Sequence, residues 1–108
     1  MTNPNSKASW FTRFANGASR ATGKPVTFVL ALHGADDKFE SPEQIAGFQK
    51  EMRDANVDWQ FLEFGGAVHC FAIPTADGSV PGCLYNERAA KRGARQMHLF
   101  FDEAFAAH

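Results

Sequence analysis

The run Val26 to Leu32 (VTFVLAL) constrains this chain more than any other feature, because it is almost wholly apolar and β-branched. A strand that is apolar on both faces belongs inside a parallel sheet, with helices covering each side. His33, Gly34, Ala35, Asp36 and Asp37 follow as a loop at the strand's carboxyl end. The next segment carries a helix signature: Ser41 as N-cap, Pro42 at the first helical position, and Gln44 to complete a capping box. Ile45, Phe48, Met52 and Ala55 then recur at helical spacing, while Lys50, Glu51, Arg53 and Asp54 are expected to face water. Asn56 suits a left-handed stop.

Trp59 to Phe64 (WQFLEF) reads as a second strand, and its Gln60 and Glu63 suggest a position near a sheet edge. Strand, helix and strand form one βαβ unit, right-handed by the chirality rule. Gly65 to Cys83 is a long loop holding His69, and a last helix is expected from about Asn86 to Phe105. That helix should bury Gly93, Met97, Phe100, Phe101, Ala104 and Phe105. Before Pro25, residues 1–24 read as an N-terminal arm or short helix, with Trp10, Phe11 and Phe14 placed to share one helical face. The fold class is therefore α/β, a βαβ unit plus a C-terminal helix. Two strands are too few for an independently stable sheet. The expectation is a homodimer in which a second chain completes the sheet by edge pairing or exchange, the alternative being a strand from residues 1–24.

A length of 108 residues fits one domain, and 44% hydrophobic with 21% charged residues is ordinary for a globular chain. The formal charge of −1 leaves no basic excess to neutralise phosphates, which argues against nucleic-acid binding. Eleven phenylalanines suggest a core, an interface, or both. Cys70 and Cys83 lack the clustered spacing of a zinc site and read as two reduced thiols. Residues 1–9 are polar, Trp10 to Phe14 is too short for a signal-peptide core, and no apolar run reaches membrane-spanning length. The expectation is a cytoplasmic chain with no membrane partner, cofactor or metal.

Loops at the carboxyl ends of parallel strands are where open α/β sheets place their sites. Two such loops carry Asp36/Asp37 and His69. A carboxylate that holds an imidazole is the base half of a nucleophilic hydrolase, and acid before histidine is the α/β-hydrolase chain order. The bland alternative is a turn-capping aspartate and a solvated histidine.

Leu30 to Phe39 (LALHGADDKF), the Ser41–Pro42–Glu43 helix start with Phe48 to Met52 (FQKEM), and Trp59 through Phe71 with its GGAVHCF run closely resemble the dienelactone hydrolase family. Tyr85–Asn86 and the basic, Ala-rich residues after them match the start of that family's terminal helix. The likeness runs from about Pro25 to the C-terminus. It implies an α/β-hydrolase-like three-layer unit in which Asp37 is the catalytic acid, His69 the base, and Asp36 a solvated or capping neighbour.

The family's nucleophile, a Cys or Ser on a sharp strand-to-helix turn, has no counterpart of the form G-x-S-x-G or G-x-C-x-G in this sequence. Loss of a triad nucleophile typically costs on the order of a million-fold in rate. Cys70 directly follows His69, but adjacent side chains on an extended loop point apart, and Cys83 and Ser79 are no better placed. His33, His98 and His108 read as a strand-end, a helical and a terminal histidine. The leading expectation is a truncated, self-associating relative that binds a small apolar or carboxylate ligand, or a protein, without autonomous hydrolysis. The runner-up is an ester or lactone hydrolase with its nucleophile supplied by a partner chain or an atypical residue.

Overall fold

A computed structural model of the protein describes residues 23–24 and 26–107. The aromatic triad Trp10, Phe11 and Phe14, the rest of the proposed arm up to residue 22 and His108 lie outside the described residues. The elements run β1 (Phe28–Gly34), α1 (Pro42–Asp54), β2 (Asp58–Phe64) and α2 (Glu87–Ala107). β1 and β2 pair in parallel, from Phe28 opposite Asp58 to Gly34 opposite Phe64. The α/β class and the βαβ-plus-helix order thus match the sequence reading.

Local chemistry accounts for the α1 boundaries. The Ser41 hydroxyl accepts from the Gln44 backbone N–H at 3.1 Å, and the Gln44 side-chain oxygen accepts from the Ser41 N–H at 2.7 Å. This reciprocal box satisfies two donors that the first helical turn would leave open. At the far end Asn56 takes a positive φ of 54° and turns the chain toward β2.

Ring contacts sort the strand residues into two faces. Phe61 packs on Phe48 of α1 at 6.0 Å between centroids, and Trp59 lies under the Arg53 guanidinium at 5.5 Å, so the odd-numbered face meets α1. Phe28 meets Phe100 of α2 at 5.9 Å, and Leu32 and Phe64 pack on the cluster of Ala67, Phe71 and Ala89, so the even-numbered face meets α2. Each helix therefore covers one face of the sheet. Gly93 of α2 faces the sheet, where a Cβ would make ordinary contact with the Leu32 side chain at 3.4 Å.

Three expectations about burial need correction. β1 has interior composition, yet Phe28 to His33 are only half-buried and Gly34 alone is fully buried. The reason is geometric: among the described residues β1 has a strand neighbour on one edge only. Glu51 was expected to face water, but it is half-buried. On α2, Gly93, Phe100 and Ala104 are buried as expected, while Met97, Phe101 and Phe105 are exposed, Phe105 by 69%. A sheet of two strands is too narrow to cover the whole apolar stripe of a 21-residue helix.

Candidate functional site

The acid and histidine loops are tied together by backbone before any side chain is considered. Ala35 N–H donates to the Phe64 carbonyl, and Asp36 N–H donates to the Ala67 carbonyl, both at 2.9 Å. Gly34 makes this contact possible: a Cβ there would fall 2.6 Å from the Ala67 oxygen and 2.7 Å from that of Val68, closer than any side chain tolerates. Asp36 itself is exposed and contributes through its backbone.

Asp37 then projects toward His69. Its Oδ2 lies 2.8 Å from His69 Nδ1, across 32 residues of sequence. Its Oδ1 accepts the Phe39 backbone N–H at 2.8 Å, which fixes the carboxylate plane. The Asp37 side chain is 5% exposed and that of His69 40%. Burial pushes the Asp37 carboxyl up, but the His69 hydrogen bond, the Phe39 N–H and the two neighbouring imidazoles outweigh it and hold the group below the ordinary aspartate range.

A carboxylate at Nδ1 places the imidazole proton on that nitrogen and leaves Nε2 as a lone-pair acceptor. The Phe39 ring lies 4.5 Å from the imidazole and restricts its tilt. His33 approaches the same Asp37 oxygen at 3.9 Å. Neither Phe39 nor His33 was legible as a neighbour of the pair, although Phe39, two residues after Asp37, sits where an Asx turn would bring it.

The cysteines overturn an expectation. Cys70 and Cys83 are joined in a disulfide across 13 residues, so they are neither reduced thiols nor available nucleophiles. Leu84 N–H donates to the His69 carbonyl and Asn86 N–H to that of Phe71, each at 3.0 Å, so the two short segments run side by side. Ser79 is exposed in a turn where its backbone N–H donates to Asp77 Oδ1 at 2.9 Å, and His98 is exposed on α2.

A groove of about 1330 Å³ opens beside the pair, lined by β1 on its floor, α1 on one side and α2 on the other. Its charged lining is acidic, from Asp37, Glu40, Glu43 and Glu51, with no Lys or Arg among the described lining residues. That volume exceeds the roughly 300–1,000 Å³ of ordinary small-molecule sites. Among the described residues no group of three His, Cys, Asp or Glu side chains is placed to hold a metal, and no helix is long and apolar enough to cross a membrane.

The dienelactone hydrolase family matches residues 5–105 of this sequence. The chain belongs to that family. It is similar to a solved dienelactone hydrolase-like promiscuous phosphotriesterase from metagenomic libraries, with 36% identity and a TM-score of 0.69 over 79% of this chain and 36% of that one. It is also 39% identical, over 79 residues, to an uncharacterised protein of Caenorhabditis elegans. That match covers 72% of this chain and 50% of the relative. This dienelactone hydrolase family member thus spans half the length of the curated relative and about a third of the solved one.

Proposed function

We propose that this chain is the acid–base unit of a dienelactone hydrolase-type fold, that it self-associates along β1, and that it binds neutral apolar ligands without hydrolysing esters alone. The observation that carries the reading is the Asp37–His69 contact at 2.8 Å beside the groove. Asp37 holds the ring and stabilises the imidazolium that forms, while His69 Nε2 is free to take a proton from a nucleophile or a water. Among the described residues, however, the His69 ring hydrogen-bonds only to Asp37, and both sulfurs are committed to each other. The Glu40 and Glu43 carboxylates of the lining disfavour a carboxylate ligand, because an anion there meets like charges.

The preserved pair also favours a second reading, in which a partner chain supplies the nucleophile and the substrates are carboxylic esters or lactones. Hydrolysis of p-nitrophenyl acetate and of a small lactone by wild type and His69→Ala separates the two. Rates for both proteins within twofold of buffer support the first reading. Activity well above buffer that disappears with His69→Ala overturns it in favour of the second.

A further inference from the structure

The disulfide sits on the loop that presents His69, one residue from the imidazole. Cys70 adopts a φ of 65°, a left-handed conformation that non-glycine residues leave unless their surroundings hold them. Two constraints hold it. One is the pair of backbone bonds that zip residues 69–71 to 84–86, from Leu84 to His69 and from Asn86 to Phe71. The other is the Cys70–Cys83 bond, with Cα atoms 5.0 Å apart. Both cysteines are half-buried, and residues 78–82 beside Cys83 are exposed, which gives a small thiol a route to the bond.

We infer that the Cys70–Cys83 disulfide is a redox clasp on the histidine loop, whose reduction releases His69 from its fixed contact with Asp37. The reductant is a dithiol. Its thiolate attacks one protein sulfur to form a mixed disulfide, and the other cysteine leaves as thiolate and takes up a proton. The second thiol of the reductant then closes on its own sulfur and expels the first cysteine. The protein gains two electrons and two protons, and the dithiol is oxidised to a cyclic disulfide. A closed loop of about this length shifts an opening equilibrium by roughly a hundredfold, so its loss acts first on the segments it joins. Once Cys70 can relax from its left-handed conformation, the ring attached one residue earlier loses its register with Asp37.

The test compares the full chain oxidised, the same chain in excess dithiothreitol, and the Cys70→Ser/Cys83→Ser variant in which both cysteines are replaced. Amide hydrogen exchange reads Leu84 and Asn86 against strand amides of β1 and β2, and nitrogen-15 NMR reads the His69 tautomer. On reduction, exchange at Leu84 and Asn86 accelerates at least tenfold, the strand amides stay within twofold, and His69 loses its single Nδ1–H tautomer. Loop exchange unchanged within twofold, or strands that accelerate as much as the loop, would overturn the inference. Should the double variant fail to fold, reduction of the wild type alone decides the matter. None of these readouts depends on hydrolysis, so they stand apart from the proposed function.

Discussion

Asp37 makes four interactions that a surface aspartate would lack: a turn bond from its own N–H to Gly34, the Phe39 N–H on its carboxylate, and two imidazoles beside it. Its folded pKa is depressed, so the stabilisation is complete above the unfolded value of about 4 and is lost as pH falls through the lower folded value. Asp37→Asn should therefore flatten the acid limb of thermal stability below about pH 4, a difference read by melting curves across that range. At Gly34 any Cβ collides with two backbone oxygens, and backbone cannot swing aside as a side chain can. Gly34→Ala is expected to cost about 1–3 kcal/mol or more in urea unfolding and to disturb the Asp37–His69 contact. The pair was legible because strand-end position and chain order pointed to Asp36/Asp37 and His69, and the resemblance to the dienelactone hydrolase family then singled out Asp37. The disulfide was not, since two cysteines 13 residues apart carry no pattern that separates free thiols from a bond, and the zipping of His69 to Leu84 that joins them is long-range.

At the scale of elements, α1 was the most legible part of the chain. Ser41, Pro42, Gln44 and Asn56 each act locally, so sequence neighbours suffice to fix them. Ser41→Ala should lower stability by about 1 kcal/mol through the lost cap. Met52 is the one large side chain in α1 with no exposure, and Met52→Ala is expected to cost about 2–5 kcal/mol by the same unfolding measurement. The burial of β1 and α2 was less legible. VTFVLAL and the Phe-rich end of α2 have the composition of fully covered elements, but coverage depends on what lies beside them rather than on their own residues. Phe101 and Phe105 stack on each other at 5.7 Å and touch Phe28, the last ring the two-stranded sheet offers at that end.

At the scale of the whole molecule, the described residues form two parallel strands with one helix on each face and an apolar groove along the open edge of β1. A sheet of that width does not stand alone in water, and an unpaired apolar edge is a template for another strand. The proposed self-association would place a second copy of the chain along that edge, where it would complete the sheet and cover the half-buried residues of β1. Sedimentation velocity at micromolar concentration tests this most directly. Self-association along β1 predicts a species of twice the 11.9 kDa of one chain, and a particle of single-chain mass across that concentration range would contradict it.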